Sequence, residues 1–228
     1  AGVGKDNVPE LEAADKGILV RYPSQETINI IYDETASFTC SLIFRMHYSN
    51  HGTIEPWLKN DRIQLKDKSL LVIGTGNIGR RVVDYMRPFM HVITFDILEN
   101  DISDLPILIS IADYITLHIP KTDENNAFMD KDKLGMMKND AVIINTARGN
   151  LINEVDLNTA LKESIIKGAA LDVYSEEPAK NNVLFGVNNL ILTPHIAAST
   201  EEAQLIVAKQ IAEQISEFFN TGKITNSV

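Results

Sequence analysis

The stretch that decides the fold is residues 70–79, which reads Leu-Leu-Val-Ile-Gly-Thr-Gly-Asn-Ile-Gly. An apolar run breaks here into three glycines at G-x-G-x-x-G spacing, Gly74, Gly76 and Gly79. Gly74 permits a tight turn from a strand, Gly76 lets a ligand approach the backbone, and Gly79 lets the next helix pack closely on the strand. The stretch therefore predicts a buried strand, a glycine turn and a helix from residue 77 to about 87, which Pro88 ends.

A second apolar run, residues 91–95, follows that helix and ends at Asp96. An acidic residue in this place accepts hydrogen bonds from a ribose hydroxyl, and a pyrophosphate binds well at the N-terminus of the helix, where free N–H groups favour anions. A glycine-rich turn without a ligand is the alternative, but the surrounding strands, helix and carboxylate argue against it. Because the carboxylate would repel a 2′-phosphate and residues 97–99 include no arginine, the sequence predicts NAD rather than NADP.

Composition excludes several classes of protein. The chain has 228 residues, 44% of them hydrophobic, and a formal net charge of −10, which argues against nucleic acid as a partner. Its apolar runs are far shorter than the roughly 20 residues that span a bilayer, and we expect no membrane partner and a cytoplasmic location. The single cysteine, Cys40, excludes an internal disulfide and is predicted to be a buried core thiol. No cluster of metal ligands is apparent, so no metal is predicted.

Beyond Asp96, short apolar runs alternate with helical segments. The predicted strands are 114–119, 141–146, 168–173 and 190–193, and the predicted helices between them are 130–137 and 153–164. Near-continuous apolar strands are typical of strands buried on both faces. The pattern predicts an α/β fold with a doubly wound parallel sheet of the Rossmann type. A last helix carries an apolar stripe from Ala203 to Phe218, with Ser199 and Glu202 as a capping box and Gly222 as its stop.

The first 65 residues contain too little regular structure for a core of their own. Residues 17–20 predict one short strand, and residues 35–48 predict an apolar helix. We expect this segment to pack on the sheet domain or on a partner, and to be the remnant of a larger domain.

Polar residues cluster where the predicted strands end. His118, Arg148, Asp172 and His195 each end or follow one strand, and Glu177 lies in the loop after Asp172. Ligands bind at this edge of a doubly wound sheet, so these residues are candidates for a site. A structural histidine at His118, a surface ion pair at Arg148 and a charged turn at Glu177 remain open as alternatives.

From residue 70 to about 204 the chain resembles the D-isomer-specific 2-hydroxyacid dehydrogenases. Five motifs carry the resemblance in order, at residues 74–79, 112–120, 144–149, 168–178 and 193–195. The resemblance implies a Rossmann domain at residues 33–196, the remnant of a flavodoxin-like substrate domain at 1–32, and a C-terminal helix, 197–228, that returns to that domain. Residues 1–7 and 196–204 look most like the members that act on 3-phosphoglycerate at the start of serine synthesis.

The resemblance also implies roles for individual residues. Arg148 would bind the carboxylate and 2-oxygen of a 2-hydroxy or 2-oxo acid substrate, His195 would be the acid and base, and Glu177 would orient that histidine. Asp172 would contact the nicotinamide end of NAD, and Thr146 could equally serve strand packing. The implied cofactor residues are Gly74, Gly76, Asn77, Ile78, Gly79, Asp96, Ile119, Thr146, Ala147, Arg148, Asp172, His195 and Ala198.

Two features depart from the family pattern. Most of the family's substrate domain would precede residue 1, and Glu26 stands where an anionic substrate would be repelled. We therefore expect dinucleotide binding more firmly than turnover, in a truncated chain, a natural fragment or a divergent member. An NAD(H)-sensing scaffold without turnover is the alternative function, and the NAD module of an unrelated enzyme is a third. The family also implies a homodimer, with helix 35–48 and Trp57 as a contact, although packing of this helix on its own sheet fits equally.

Overall fold

The computed structural model describes residues 8–49 and 52–223. Residues up to Glu34, together with those from Ala198 onward, form one compact unit, and Thr35–Ala197 form the other. The opening segment, residues 1–7, on which part of the resemblance was based, lies outside the described residues.

The larger unit is built on six parallel strands in the order β2-β1-β3-β4-β5-β6. The strands are β1 Ser69–Ile73, β2 His91–Phe95, β3 Tyr114–Leu117, β4 Val142–Asn145, β5 Gly168–Leu171 and β6 Leu190–Leu192. The order reverses between β1 and β3, which creates the crevice where such sheets bind ligands. The predicted doubly wound parallel sheet is confirmed, and each strand ends at its predicted end or a few residues before it.

The described residues contain seven α-helices, which are divided between the two units. They are α1 Glu10–Asp15, α2 Gln25–His47, α3 Gly79–Met86, α4 Leu105–Ile111, α5 Lys131–Met136, α6 Glu154–Lys162 and α7 Glu201–Thr221. Asp130 and Asn153 cap α5 and α6 by accepting hydrogen bonds from backbone N–H groups in the first turn. Helix α4 was not predicted, because two buried side chains, Leu105 and Ile109, are too few to show a period. None of the helices in the described part of the chain is long and apolar enough to cross a membrane.

Both faces of the sheet are covered within the larger unit. Leu71 and Ile73 of β1 belong to one buried cluster, and Leu70 and Val72 belong to the other. Residues 35–47 of α2 pack on the second face, where Cys40 is buried and burial raises the pKa of its thiol to about 12. The prediction of strands buried on both faces is confirmed for β3, β4 and β5, whereas β6, at the edge of the sheet, is only half-buried. The prediction of a buried core thiol is confirmed.

Three local predictions were wrong. Residues 17–20 form no strand, because Gly17, with φ +66°, ends α1 in a Schellman motif in which its N–H and that of Ile18 bond back to the helix. Helix α2 begins at Gln25 rather than at residue 35, after Ser24, whose hydroxyl accepts a hydrogen bond from the Thr27 N–H. The cap of α7 is Thr200, which accepts from the Ala203 N–H, rather than the predicted Ser199.

The smaller unit contains α1, the first part of α2 and α7. Ile31 of α2 packs with Ala203 and Val207 of α7 in its own buried cluster. Gly222 ends α7 in the left-handed conformation at φ +67°, as predicted. The apolar stripe of α7 is only partly buried, since Ile215 and Phe218 remain exposed.

Candidate functional site

The strands of the larger unit end in one row. Their registers pair Ile73 with Phe95 and Leu117, Leu117 with Asn145, Asn145 with Leu171, and Leu171 with Leu192. The loops that follow therefore lie side by side along the carboxyl edge of the sheet. The predicted site residues that follow these strands therefore lie on this edge. Ala198 is an exception, because it belongs to the smaller unit, where it packs beside α7.

The glycine turn after β1 has the geometry that the spacing predicts. Gly74 has φ +91°, and a Cβ there would lie 2.6 Å from the His118 carbonyl oxygen. A Cβ on Gly79 would collide with the Gly74 carbonyl group, so helix α3 packs against the turn as only glycine allows. A Cβ on Gly76 would meet nothing within 4 Å, which leaves open space over the backbone before α3. An anionic pyrophosphate fits this open turn at a helix N-terminus.

Asp96 closes the turn from the neighbouring strand. Its Oδ2 accepts hydrogen bonds from the Thr75 N–H at 2.8 Å and the Thr75 hydroxyl at 3.0 Å, and its Oδ1 accepts from the Leu98 N–H at 3.1 Å. The bond from the Thr75 N–H is the main cause that holds the pKa of Asp96 below its usual value. The carboxylate is therefore charged and fixed beside the glycine turn, where a ribose hydroxyl can reach it.

Two further residues of the turn make contacts of their own. The side-chain oxygen of Asn77 accepts a hydrogen bond from Arg80 at 2.9 Å, and its carbonyl oxygen accepts one from Arg81 at 2.6 Å. Ile78 is half-buried and packs against the cluster beneath α3. Both therefore help to shape the start of α3.

His118 follows β3 beneath the glycine turn. Its Nε2 lies 3.0 Å from the Thr116 hydroxyl, and its Nδ1 is buried without a hydrogen-bond partner among the described residues. Burial lowers the pKa of His118 to about 3, so the ring is neutral at physiological pH. Ile119, the next residue, is half-buried and packs against the core below Gly74.

Arg148 stands on a turn that Asn145 holds in shape. The Asn145 side chain accepts from the Ala147 N–H at 3.0 Å and donates to the Arg148 carbonyl oxygen at 2.8 Å. The guanidinium donates to the Ala147 carbonyl oxygen at 2.7 Å. A Cβ on Gly149 would overlap the carbonyl group of Tyr174, so this turn packs directly against the loop after β5. The sequence assigns no role to Asn145 or Gly149, although both lie in the motif at residues 144–149.

Thr146 is buried beside helix α2. Its hydroxyl lies 2.7 Å from the Thr39 hydroxyl, which itself donates to the Thr35 carbonyl oxygen at 2.8 Å. Because Thr39 uses its proton for that bond, Thr146 must donate to Thr39. The observed role of the Thr146 hydroxyl is to join α2 to the sheet edge.

Asp172 is fully buried at the end of β5 and binds the loop that follows β6. Its Oδ1 accepts from the Thr193 hydroxyl at 2.6 Å and from the Ile196 N–H at 2.9 Å, and its Oδ2 accepts from the Ala197 N–H at 2.8 Å. Three donors thus fix the segment that contains His195. The sequence alone did not indicate this contact, because it joins residues more than twenty positions apart.

His195 and Glu177 form a hydrogen-bonded pair on this edge. The distance from His195 Nδ1 to Glu177 Oε2 is 2.6 Å, and Glu177 Oε1 accepts from the Tyr174 N–H at 3.0 Å. Since Nδ1 faces the carboxylate, Nε2 is the ring nitrogen available for proton exchange with a ligand. His195 has φ +54°, a strained conformation that surrounding contacts must enforce.

A cavity of about 540 Å³ opens beside this pair. Apart from His195 and Glu177, its wall consists mainly of apolar and aromatic side chains, among them Tyr174, Pro178, Phe185, Leu192 and Pro194. Across residues 8–49 and 52–223, no group of three or more histidine, cysteine or acidic side chains is placed to hold a metal ion. The site can therefore exchange protons through an imidazole paired with a carboxylate, on the same sheet edge as an arginine and a dinucleotide-type turn.

The fold and this edge define a dinucleotide-binding Rossmann domain. Residues 44–197 match the model of the D-isomer specific 2-hydroxyacid dehydrogenase, NAD binding domain, and the chain belongs to this family. It therefore carries an NAD-binding domain, as the sequence predicted.

Relatives agree with this assignment. The chain is 38% identical, over its whole length, to D-3-phosphoglycerate dehydrogenase of Methanocaldococcus jannaschii, of which it covers 46%. The TT0316 protein from Thermus thermophilus matches with a TM-score of 0.84 and 26% identity, over 100% of this chain and 76% of that one. The structure of D-lactate dehydrogenase from Aquifex aeolicus, complexed with NAD and lactic acid, matches with a TM-score of 0.81 and 25% identity. This match covers 96% of this chain and 74% of that one. The chain spans about half the length of the first curated relatives that it matches.

Proposed function

We propose that this chain is the NAD-binding part of a dehydrogenase that transfers a hydride between nicotinamide and C2 of a D-2-hydroxy acid. The observation that carries the proposal is the 2.6 Å hydrogen bond between His195 and Glu177, on the sheet edge that also carries Arg148. A base paired with an orienting carboxylate, beside a cation for the substrate, is what oxidation of a hydroxy acid requires.

Each residue of this group has a defined task. His195 takes the hydroxyl proton during oxidation and returns it during reduction, a role that suits an imidazole. Glu177 holds the ring by Nδ1 and orients it, so that Nε2 faces the substrate. The Arg148 guanidinium binds the substrate carboxylate and 2-oxygen in a bidentate manner. NAD, when bound, accepts the hydride from C2 or delivers it.

The same proposal covers the cofactor contacts. Asp96 accepts from the ribose hydroxyls, the turn at Gly74, Gly76 and Gly79 receives the pyrophosphate, and Asp172 lies toward the nicotinamide end. The other proposed contacts are Asn77, Ile78, Ile119, Thr146, Ala147, Arg148, His195 and Ala198. We assign the smaller unit to the substrate domain of the family.

For the substrate we propose 3-phosphoglycerate, whose oxidation begins serine synthesis. The relative named D-3-phosphoglycerate dehydrogenase, at 38% identity, supports this choice over other hydroxy acids. A cytoplasmic location belongs to the same proposal. An NAD(H)-sensing scaffold gains no support from that relative or from the D-lactate dehydrogenase structure, since both are named as enzymes.

The test is oxidation of NADH by a panel of 2-oxo acids, including the one that corresponds to 3-phosphoglycerate, with the full-length protein. The variant His195→Asn removes the base, and asparagine tolerates the left-handed backbone at this position. We expect this variant to lose roughly 10²- to 10⁴-fold in rate while it still binds NADH. The matched control is His91→Asn, because His91 is exposed at the opposite end of the sheet.

The proposal fails if NADH binds and no 2-oxo acid is reduced. It also fails if His195→Asn and His91→Asn have equal rates. Self-association or partner binding that changes with NADH, without turnover, would then favour the scaffold.

We also propose a homodimer whose contact keeps Trp57 of the predicted surface but not helix 35–48. Helix residues 35–47 are used for packing on their own sheet, whereas Ile54 and Trp57, in the following turn, are 82% and 76% exposed. Leu58 and Ile63 add to this apolar surface. Sedimentation should give a dimer, and Trp57→Ser together with Ile54→Ser should give a monomer. An unchanged sedimentation coefficient in this double variant would exclude the surface as the dimer contact.

A further inference from the structure

The His195–Glu177 pair lies largely in the open. The His195 side chain is 54% exposed and that of Glu177 is 34% exposed, so burial alone does not fix their geometry. Exposed ion pairs contribute little and hold their geometry poorly unless other bonds constrain both partners. His195 moreover has a strained backbone at φ +54°. The arrangement therefore requires neighbours that hold both the carboxylate and the histidine.

Tyr174 contacts both sides of the pair. On the glutamate side, the Tyr174 N–H donates to Glu177 Oε1 at 3.0 Å. On the histidine side, the Tyr174 hydroxyl donates to the Thr193 carbonyl oxygen at 2.9 Å. That same oxygen accepts from the His195 N–H at 3.1 Å, across the turn that holds the strained histidine.

The environment of Tyr174 suits such a task. The residue is 8% exposed and lines the cavity beside the pair. Burial, and after it the charge of Asp172, raises the pKa of Tyr174 to about 12, so the hydroxyl keeps its proton and remains a donor. The Gly149 turn packs against its carbonyl group, which limits movement of the tyrosine backbone.

We propose that Tyr174 is a positioning residue that sets the distance between His195 and Glu177. Its amide fixes the carboxylate and its hydroxyl fixes the turn of the histidine, so a single residue determines the relative placement of the acid–base partners. The sequence did not reveal this role, because it depends on a hydroxyl that meets a carbonyl oxygen nineteen positions away. The inference rests on the proposed function of the pair.

Asp172 holds the same loop and is the competing candidate. It accepts from Thr193, Ile196 and Ala197, so its removal would leave several donors unpaired and disturb the whole segment. The hydroxyl of Tyr174 can be removed without this damage. Tyr174→Phe keeps the ring, the backbone N–H to Glu177 and every bond of Asp172.

The experiment compares Tyr174→Phe with Tyr114→Phe in the full-length protein. Tyr114 is equally buried, at 4% exposure, and its hydroxyl lies 2.9 Å from His47 Nδ1 at the opposite end of the sheet. We expect Tyr174→Phe to lower kcat about tenfold, because the loss of one positioning hydrogen bond misplaces His195 relative to Glu177, and to move the pH profile of kcat. The KM for NADH should stay unchanged, and Tyr114→Phe should leave all three quantities unchanged.

A second measurement works without turnover. The ¹⁵N signal of the His195 ring Nδ1 reports the hydrogen bond to Glu177, and we expect it to shift in Tyr174→Phe but not in Tyr114→Phe. The inference is overturned if Tyr174→Phe has the same kcat, pH profile and ¹⁵N signal as the wild-type protein. It is also overturned if Tyr174→Phe and Tyr114→Phe change these quantities equally. If the wild-type protein reduces no 2-oxo acid, the proposed function fails, and the ¹⁵N signal still decides the role of Tyr174.

Discussion

Replacement of Gly79 by alanine tests the packing of the glycine turn. The added Cβ would lie 3.0 Å from the Gly74 carbonyl carbon and 3.3 Å from His118 Cβ, and it would overlap the Gly74 oxygen. Ordinary contacts between carbon atoms are about 3.5 to 4.0 Å, so these carbon contacts alone require α3 to move away from the Gly74 turn by about 0.5 to 1 Å, and the overlap with the Gly74 oxygen requires more. The obstacle is backbone, and no side-chain rotation can relieve it.

The expected cost follows from this displacement. Overpacking of this kind destabilises proteins by about 1–3 kcal/mol, and each kcal/mol lowers Tm by about 2–4 °C in a chain of this size. We therefore expect Gly79→Ala to lower Tm by roughly 2–12 °C. NADH affinity should fall about tenfold or more, because one charge-assisted hydrogen bond at the start of α3 is worth about 1.5–3 kcal/mol.

Two other alanine substitutions separate packing from ligand binding. A Cβ on Gly76 meets nothing within 4 Å, so Gly76→Ala should keep its Tm and lose NADH affinity by filling the space above the backbone. Gly135 lies inside α5, also with nothing within 4 Å, and Gly135→Ala should raise Tm slightly without a change in binding. Thermal melts and NADH fluorescence titrations measure both quantities. Wild-type affinity in Gly76→Ala would refute the assignment of this turn to a pyrophosphate.

Three further predictions concern other parts of the larger unit. Burial alone would raise the pKa of Asp113, but hydrogen bonds from Ser69 and two lysines lower it to about 2. This carboxylate therefore stabilises the fold above its unfolded pKa of about 4 and loses that contribution as the pH falls toward 2. In urea melts between pH 4 and pH 2, which are about these two pKa values, Asp113→Asn should therefore lose less stability than the wild-type protein does. The buried Cys40 should react with a thiol reagent only as fast as the protein opens, and rapid labelling of the folded chain would contradict its burial. If the proposed dehydrogenase activity holds, Glu177→Gln should lower kcat about tenfold by replacing a charge-assisted hydrogen bond to His195 with a neutral one, and an unchanged kcat would remove Glu177 from the proposed mechanism.

The sheet was predictable from the sequence because its strands are short apolar runs between clear turn residues. Residues 91–95, for example, were predicted as a strand and form β2 with the same bounds. The glycine turn was predictable from its context, because the spacing of Gly74, Gly76 and Gly79 is a weak signal alone and the flanking strands, helix and Asp96 strengthen it. Element ends were less accurate, and α4 was missed, because a short helix with two buried side chains shows no period.

The contacts that hold the site were not predictable from the sequence alone. Asp172 binds residues 193–197, which lie more than twenty positions away, and the turn that Asn145 closes with residues 147 and 148 has no periodic sequence pattern. The sequence predicts Gly17 in a strand, whereas its positive φ ends helix α1. Such contacts depend on how separate loops meet at one sheet edge, which only the fold determines.

The most direct test of the account is a titration of this chain with NADH and with NADPH, followed by fluorescence, together with Asp96→Ala. We expect saturable binding that prefers NADH, because the charged Asp96 accepts from ribose hydroxyls and repels a 2′-phosphate. Asp96→Ala should lose this preference and keep its fold. Absence of NADH binding to the folded chain, or equal binding of both nucleotides by the wild-type chain, would contradict the account.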